Sequence, residues 1–325
     1  MSPEVPGRFR AGDVRGLARA ITMVERRDPA VRGLLESLGD RLRRPYVTGF
    51  TGAPGTGKSM LGDRLIDLLR KGGERVGVIA VDPNSPYSGG ALLGDRIRMQ
   101  RHALDPDVFI RSMGARGHLG GLSVASREAI RLLGAFGFDH ALLETVGVGQ
   151  SELEVAAVAD TTVVVMTPGL GDGVQMIKAG IMEVADVFAV NKADLPGAQR
   201  TAAEIRSMLN MGPKLAWRPP IVATAASSGA GVEELWDAVQ RHRRHLQSSG
   251  EGTARAERRL KDEAADLVGE WARQEARRLL DEDPALSSRL LAERIPYAAA
   301  EEILTRQGAD LVPRPARSEP GRQGL

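Results

Sequence analysis

The stretch that decides the fold is GAPGTGKS, residues 52–59. It follows the apolar run YVTGF (46–50) and directly precedes MLGDRLIDLLRK, whose apolar residues recur at helical spacing. Glycines between a buried strand and a helix let backbone N–H groups wrap a phosphate, and the start of the helix adds a partial positive charge. In this context the pattern G-x-x-x-x-G-K-[ST] predicts a P-loop and a nucleoside-triphosphate site, the alternative being an ordinary glycine-rich turn.

The P-loop pattern predicts a role for two of its polar side chains. We expect Lys58 to reach the β- and γ-phosphate oxygens of the nucleotide, and Ser59 to ligate Mg²⁺ through its hydroxyl. The predicted nucleotide-binding residues of this segment are Gly52, Gly55, Thr56, Gly57, Lys58, Ser59 and Met60.

Short apolar runs alternate with helix-length segments beyond Pro45. The predicted strands are YVTGF (46–50), VGVIAVD (76–82), HALLE (140–144), TTVVVM (161–166), VFAV (187–190) and PIVAT (220–224), with VFI (108–110) as a further candidate. This alternation predicts an α/β fold of the P-loop NTPase type, with a mostly parallel sheet and helices on both faces. Ligands in such folds bind beyond the carboxyl ends of the strands, so the loops there should form one crevice.

Helical segments flank this region on both sides. Two short helices are predicted within residues 13–40, and one long amphipathic helix over 253–282 is stopped by Pro284. A shorter helical segment begins near Ser287. We therefore predict an N-terminal helical segment (1–42), a nucleotide-binding domain (43–248), a C-terminal helical arm (249–311) and a disordered tail (312–325).

The motif NKAD (191–194) follows the run VFAV and predicts selection of guanine. The carboxylate of Asp194 can accept both the N1–H and the exocyclic amine of guanine, whereas adenine would leave that carboxylate unpaired. Asn191 can face the O6/N7 edge of the base, and Lys192 can lie over the base or brace the P-loop. Taken alone, the tetrapeptide also fits an ordinary loop.

A second segment, TAASSGAG (224–231), follows the last predicted strand and is a further candidate contact with the base. The backbone N–H of Ala226 can contact O6 of guanine there. The predicted base-binding residues of this segment are Ala225, Ala226 and Ser227.

Three carboxylates are candidates for the metal site. Asp82 and Glu144 each end a predicted strand, so both should lie in the crevice beside Ser59. Mg²⁺ takes few direct protein ligands and keeps several waters, which suits such a site. Asp95 lies within GGALLGDRIRM, in a loop that must move to reach the metal. The alternative for each carboxylate is a helix cap or a surface charge.

The segment that follows Glu144, TVGVGQSE, is predicted to sense the γ-phosphate. The backbone N–H of Gly147 can bond that phosphate and release it after hydrolysis. Gln150 can orient the attacking water, or it simply begins the next helix. The loop GLGDGVQMIK (169–178) is either a third mobile element or an ordinary strand–helix turn. The predicted catalytic residues are Lys58, Asp95, Glu144, Gly147 and Gln150.

Composition excludes several other classes of protein. The 325-residue chain has no cysteine, which excludes disulfides, Cys-ligated zinc and thiol catalysis. The net charge of +2 is too small to imply nucleic-acid binding. The five histidines have no carboxylate or cysteine neighbours at ligand spacing, so they are predicted to have ordinary surface or core roles. With neither a secretory signal nor a membrane span visible, we expect a soluble, cytoplasmic protein.

Five segments, in their order and spacing, resemble the MeaB/ArgK family of P-loop GTPases. They are GAPGTGKS, VDPNSPYSGGALLGDRIRM (81–99), FIRSMGARGHLGGLS (109–123), ETVGVGQSE (144–152) and NKAD. The likeness runs from about Leu17 to Leu246, with a family-like helical extension beyond it. Members of this family are GTPase chaperones of adenosylcobalamin-dependent acyl-CoA mutases, chiefly methylmalonyl-CoA mutase.

The resemblance implies a Mg²⁺-dependent GTPase that binds the mutase, controls entry and release of the cobalamin cofactor, and protects the mutase from inactivation. Slow intrinsic hydrolysis is expected, because no arginine finger is identifiable in the sequence. The resemblance places Asp82, Asp95 and Glu144 in the Mg²⁺ and switch network. It makes 169–178 a third switch that couples to the mutase, and the long C-terminal helix a homodimer arm. The positions that depart from the family's usual Ser, Thr and Ser are Asn84, Ser88 and Ala225.

Two other functions are compatible with a P-loop GTPase-like chain. A metal-delivery GTPase of the hydrogenase or urease maturation type needs His- or Cys-rich metal sites, which this sequence lacks. A kinase that phosphorylates a transport protein, as older names of relatives suggest, would show a phosphoacceptor or transporter feature, and none is visible in the sequence.

Overall fold

The computed structural model describes residues 4–82, 100–114, 121–145, 151–169, 182–212 and 215–306. The strands in these ranges are β1 (Tyr46–Thr51), β2 (Val76–Asp82), β3 (Val108–Gly114), β4 (His140–Thr145), β5 (Thr161–Met166), β6 (Val187–Val190) and β7 (Ile221–Ala223). The helices in these ranges are α1 (Glu4–Arg10), α2 (Val14–Arg26), α3 (Ala30–Leu38), α4 (Lys58–Lys71), α5 (Gly121–Phe136), α6 (Ser151–Val158), α7 (Ala198–Met211), α8 (Val232–Ser249), α9 (Glu251–Glu282), α10 (Pro284–Glu293) and α11 (Pro296–Arg306). Short helical turns cover Gly39–Arg41, Gln100–His102 and Met182–Val184.

The strands form one parallel sheet in the order β3-β2-β4-β1-β5-β6-β7. The central strand β1 lies between β4 and β5, so Phe50 is aligned with Glu144 on one side and with Val163 on the other. All six predicted strands are present, and the further candidate run is the start of β3. The predicted α/β fold with a parallel sheet is confirmed.

Helices cover both faces of the sheet. One face packs against α2, α5 and α6 through a core that includes Ile21, Ile130 and Leu143. The other face packs against α4 and α8 through Leu65 and Val239, while α7 covers part of β5 and β6. Because the strands are buried from both sides, they are apolar along nearly their whole length, and every residue of β5 is buried.

The N-terminal helices belong to the same compact unit as the sheet, which spans Met1–Lys261. Two of them, α2 and α3, match the helices predicted within 13–40, whereas α1 lies earlier in the segment 1–42 and contains Pro6 and Gly7, two poor helix formers. Phe9 anchors α1, since its ring lies edge-on to that of Phe136 with the ring centroids 5.4 Å apart. Burial of this side chain stabilises a helix that intrinsic propensity alone disfavours.

The second compact unit spans Asp262–Leu325 and is described as far as Arg306. It contains the greater part of α9, together with α10 and α11. Pro284 is the first residue of α10, and the side chain of Asp283 caps that helix by accepting from two backbone N–H groups. Nη1 of Arg306 lies 2.7 Å from Oδ2 of Asp283 and so ties α11 to this cap. The predicted disordered tail, 312–325, lies outside the described residues. Among the described helices, none is both long and apolar enough to cross a membrane.

Candidate functional site

The P-loop connects β1 to α4 at the carboxyl edge of the sheet. Lys58 is the first residue of α4, and its side chain is buried. Its Nζ donates to the carbonyl oxygens of Gly52 at 2.7 Å and Ala53 at 3.1 Å, so the ammonium group lies across the loop. Thr56 closes the same loop, because its Oγ1 donates to the carbonyl of Ala53 at 2.8 Å. The side chain of Met60, by contrast, is half exposed.

Two glycines of the loop occupy places that admit no side chain. Gly57 has φ of +92°, and a Cβ there would lie 2.4 Å from Nδ2 of Asn191. Gly52 has φ of +137°, and a Cβ there would lie 2.2 Å from the carbonyl oxygen of Val165 on β5. Gly55 also has a positive φ, of +79°, but a Cβ there would meet nothing within 4 Å. The loop backbone therefore runs close to its neighbours at both ends and stays open in the middle.

Ser59 and Glu144, two predicted metal-site residues, are in direct contact. Oγ of Ser59 donates to Oε1 of Glu144 at 2.5 Å, and both side chains are buried. The first turn of α4 supplies the serine, and the carboxyl end of β4 supplies the glutamate. The sheet order explains the contact, because β4 pairs directly with β1, the strand that leads into the P-loop.

Asn191 joins the P-loop to the loop that follows β7. It follows β6 directly and is buried. Its Nδ2 donates to the carbonyl of Thr56 at 2.7 Å, and its Oδ1 accepts from Oγ1 of Thr224 at 3.2 Å and from the backbone N–H of Ala226 at 3.1 Å. Both ends of the amide thus have protein partners, and Asn191 braces two loops. This bracing role was not predicted from the sequence, and the contact with guanine stays a prediction.

The loop that follows β7 is a closed turn that is hydrogen-bonded to α4. The backbone N–H of Ala225 donates to the carbonyl of Ala230 at 2.9 Å. Arg64, on α4, donates from Nε to the carbonyl of Ala226 at 2.9 Å and from Nη2 to the carbonyl of Ser227 at 2.7 Å. Sequence reasoning missed Arg64, because its partners are 162 and 163 residues away along the chain and no local pattern signals the contact.

The side chains of Lys192 and Asp194 are exposed beside the buried Asn191. Lys192 has φ of +57°, a left-handed conformation that is uncommon outside glycine and often marks functional positions. The backbone N–H of Ala193 donates to the carbonyl of Thr224 at 2.9 Å. Backbone bonds therefore hold NKAD against the loop after β7 and leave the carboxylate of Asp194 exposed, as contact with a base requires.

A phosphate-binding loop and a braced second loop thus share one edge of the sheet, and comparison with known proteins identifies this arrangement. The family model described as methylmalonyl-CoA mutase-associated GTPase MeaB matches residues 17–279. The chain belongs to the MeaB family of GTPases. It is therefore a GTPase that binds GTP and GDP with Mg²⁺, which confirms the predicted family and activity.

Individual relatives agree with this assignment to the MeaB family. A Pyrococcus horikoshii protein named as a GTPase is 44% identical over 93% of this chain and 96% of the relative. The mouse protein named methylmalonic aciduria type A homolog, mitochondrial, is 37% identical over 81% of this chain and 69% of the relative. Among solved structures, a protein called LAO/AO transport system kinase aligns with a TM-score of 0.66 and 28% identity, over 94% of this chain and 97% of that chain.

The described part of this MeaB-family site fits Mg²⁺. Ser59 and Glu144 offer hard oxygen donors, the kind that Mg²⁺ prefers. No group of three or more His, Asp or Glu side chains that could hold a metal occurs among the described residues.

Several predicted site residues fall where the structure gives no description. Asp95, Gly147 and Gln150 lie outside the described residues, as does most of the loop 169–178. Asp82 is the last residue of β2, and its backbone is aligned with Gly114 of β3, but its side chain lies outside the described part. The roles of these residues in the GTPase stay predictions.

The four described histidines have carboxylate neighbours that their sequence surroundings do not show, and the rings of two of them, His242 and His245, lie close together. His242 is fully buried, with Nδ1 2.8 Å from Oγ1 of Thr161 and Nε2 3.2 Å from Oδ1 of Asp186. Nε2 of His245 lies 3.3 Å from Oε2 of Glu251. Thr161 begins β5 and Asp186 precedes β6, so this cluster lies at the amino ends of the strands, opposite the P-loop edge.

Proposed function

We propose that this GTPase is a chaperone of an adenosylcobalamin-dependent acyl-CoA mutase, with methylmalonyl-CoA mutase as its partner. In this proposal the bound nucleotide gates loading of the cobalamin cofactor and protects the mutase from inactivation. The observation that carries the proposal is the match, over residues 17–279, to a family described by its association with methylmalonyl-CoA mutase. The name of the mouse relative, which refers to methylmalonic aciduria, supports the same link.

The phosphate side of the site supplies the switch in this proposal. Lys58 and the backbone N–H groups of the P-loop hold the β- and γ-phosphates, while the hydroxyl of Ser59 and the carboxylate of Glu144 hold Mg²⁺. Asp82 and Asp95 complete the Mg²⁺ and switch network. When bound, Mg²⁺ neutralises charge on the phosphate oxygens and so favours transfer of the γ-phosphate to water.

Detection of hydrolysis is assigned to the segment that follows β4. The backbone N–H of Gly147 bonds the γ-phosphate of GTP and loses that bond in GDP, and Gln150 orients the attacking water. Glu144 lies near the end of β4, three residues before Gly147. Loss of the γ-phosphate therefore changes the chain next to the metal site. The loop 169–178, which follows β5 in the same way, transmits the change to the mutase.

The base side of the site accounts for the choice of GTP over ATP. The exposed carboxylate of Asp194 accepts the N1–H and amine protons of guanine. An adenine in the same place would leave this carboxylate without a donor, which disfavours ATP. Lys192 lies over the base, and the backbone of Ala225, Ala226 and Ser227 faces its O6 edge.

The proposal includes a homodimer formed by the C-terminal helical arm (249–311). In the second compact unit, the side chains of Val268 and Trp271 on α9 are 55% and 58% exposed. Apolar side chains exposed together on one helix mark an interaction surface more often than isolated ones do. A second copy of the arm supplies an apolar surface of the same kind, which suits a symmetric dimer.

The two alternatives have weaker support. A metal-delivery GTPase needs a cargo-metal site, yet the chain has no cysteine and its described residues contain no His, Asp or Glu group that could hold a metal. A kinase function has in its favour the name of one structural relative, LAO/AO transport system kinase. Transfer of radiolabel from γ-labelled GTP to a protein acceptor would separate kinase from GTPase, because hydrolysis releases the label as free phosphate.

The deciding experiment is a GTPase assay with and without purified methylmalonyl-CoA mutase. We expect a slow basal rate, a clear acceleration by the mutase, and a complex that survives gel filtration with a non-hydrolysable GTP analogue. Lys58→Ala serves as the control that lacks the cation proposed to hold the β- and γ-phosphates. An unchanged rate together with no complex in any nucleotide state would overturn the chaperone proposal while leaving the GTPase assignment intact.

A further inference from the structure

Arg64 binds the loop that follows β7, residues 225–231, called here the base-binding loop, and it lies on the same helix that begins with Lys58 of the P-loop. We propose that Arg64 is a positioning residue that holds the loop 225–231 in register with the P-loop and thereby sets the preference for guanine nucleotides. The proposal rests on the contact between this loop and guanine in the proposed function, and it is independent of the mutase partner.

The contacts of Arg64 require the planar fork of a guanidinium group. Nε donates to the carbonyl of Ala226 at 2.9 Å, and Nη2 donates to the carbonyl of Ser227 at 2.7 Å. Two adjacent peptide carbonyls are thus bound from one rigid group, which fixes the orientation of both peptides. A lysine at this place also has several N–H donors, but they sit on one freely rotating nitrogen and not on a rigid planar fork, so it fixes the two peptides less firmly.

These bonds complete a closed ring around the site. Ala226 is held on both sides, since its carbonyl accepts from Arg64 and its N–H donates to Oδ1 of Asn191 at 3.1 Å. Asn191 in turn donates from Nδ2 to the carbonyl of Thr56 in the P-loop at 2.7 Å. The P-loop continues into α4, which carries Arg64, and the ring closes there.

Loss of Arg64 should affect the base more than the phosphates. The P-loop keeps its own bonds, from Lys58 to the carbonyls of Gly52 and Ala53 and from Thr56 to Ala53. The loop 225–231 keeps its internal bridge but loses two bonds that fix it to α4. Its backbone therefore shifts relative to the phosphate site, and contacts with guanine weaken while contacts with phosphate remain.

The test compares GTP with ATP in the full-length protein carrying Arg64→Ala. We expect kcat/KM for GTP to fall about tenfold, from a higher KM with little change in kcat, because two hydrogen bonds from a charged donor are lost. The kcat/KM for ATP should stay within about twofold, since adenine does not use these loop contacts. The kcat/KM of Arg64→Lys, which keeps the charge but not the planar fork, should fall between those of the wild type and Arg64→Ala.

The matched control is Arg70→Ala, a second arginine on α4. Arg70 pairs with Asp105 and Asp107 and has no contact with the base-binding loop in the described structure, so its loss tests the effect of destabilising α4 alone. We expect it to lower the melting temperature without changing the ratio of GTP to ATP efficiency. Equal losses with GTP and ATP for Arg64→Ala, or no loss with either, would overturn the positioning role. If Arg64→Ala does not fold, the same ratio measured for Arg64→Lys decides the question.

Discussion

At the scale of single residues, Glu144 makes the most direct prediction about chemistry. Its Oε1 accepts a hydrogen bond from Oγ of Ser59, with the two oxygens 2.5 Å apart, at the place where Mg²⁺ is expected. Glu144→Gln keeps the size of the side chain and removes the negative charge. We expect kcat for GTP hydrolysis to fall about a hundredfold, about 2.7 kcal/mol of transition-state stabilisation, because the metal is held less well. GDP affinity measured in EDTA should change little, since the P-loop is intact.

The control for this variant is Glu25→Gln, which removes a carboxylate that pairs with Arg111 on the edge strand β3, separated by β2 and β4 from the strand β1 that leads into the P-loop. It should affect stability without changing the Mg²⁺ dependence of hydrolysis. If Glu144→Gln lowered GDP binding in EDTA as much as it lowered kcat, Glu144 would be a structural residue and not part of the metal site.

Single residues also show which parts of the site a sequence can reveal. Lys58 and Ser59 were predictable because the P-loop pattern is local and its function follows from the spacing. The meeting of Ser59 with Glu144 was predictable from the rule that the strand ends of a parallel sheet share one edge. The contacts of Arg64 and Asn191 were not, because each joins segments more than a hundred residues apart through side-chain geometry that only the fold determines.

At the scale of elements, Arg255 predicts how α9 is fastened to the sheet. Nη1 of Arg255, in the first turns of α9, lies 3.1 Å from Oδ1 of Asp186, whose Oδ2 accepts from the backbone N–H of Thr162 at 2.9 Å. Burial raises the pKa of Asp186 to about 6, although Arg255 lowers it. His242 also faces this carboxylate. Burial lowers the pKa of His242 to about 3, so its imidazole stays neutral between pH 5 and pH 8.

The sign of the pH effect follows from these two groups. Because the folded-state pKa of Asp186 lies above its ordinary value, its contribution to stability is largest at low pH and is lost as the pH rises toward about 6. Arg255→Met removes the cation that lowers the pKa of Asp186. The free energy of unfolding of this variant therefore continues to fall above pH 6. We expect this variant to be destabilised by about 2 kcal/mol at pH 8 and by less than about 1 kcal/mol at pH 5, where the carboxyl is protonated.

Urea unfolding followed by tryptophan fluorescence measures this difference, because one of the three tryptophans, Trp217, donates from Nε1 to the carbonyl of Asp186 at 2.8 Å. Lys261→Met is the matched control on the same helix, because Lys261 forms an exposed pair with Glu257. Lys261→Met should lower the free energy of unfolding by less than about 0.5 kcal/mol at both pH values. Equal destabilisation of Arg255→Met at pH 5 and pH 8 would mean that the ion pair with Asp186 contributes nothing.

The strands also show how far secondary structure could be predicted from the sequence. The strands were recognisable because burial on both faces makes them short apolar runs. The predicted candidate strand 108–110 extends in the structure to Gly114, through the polar residues Arg111 and Ser112. Arg111 is accommodated there because Nη2 bonds Oγ1 of Thr22 at 3.0 Å and the carboxylate of Glu25, both on α2. A polar residue in a strand is thus explained by its tertiary partner, which local pattern cannot supply.

At the scale of the whole molecule, the proposed homodimer predicts a change in mass when its contact surface is altered. The candidate surface consists of Val268 and Trp271, both more than half exposed on α9. Replacing both with glutamate puts charges where the second copy should pack, and desolvating such charges is unfavourable. We expect the wild-type chain of 34.8 kDa to sediment as a dimer and the double variant to sediment as a monomer.

Leu104→Glu is the matched control for this prediction. Leu104 is 96% exposed but belongs to the first compact unit, in the segment before β3, so its replacement tests whether any added surface charge disperses the protein. Basal GTP hydrolysis should persist in the monomeric variant, because every described residue of the nucleotide site lies within Met1–Lys261. A wild-type chain that sediments as a monomer at all concentrations, or a Leu104→Glu variant that dissociates equally, would show that Val268 and Trp271 serve another purpose than joining two copies.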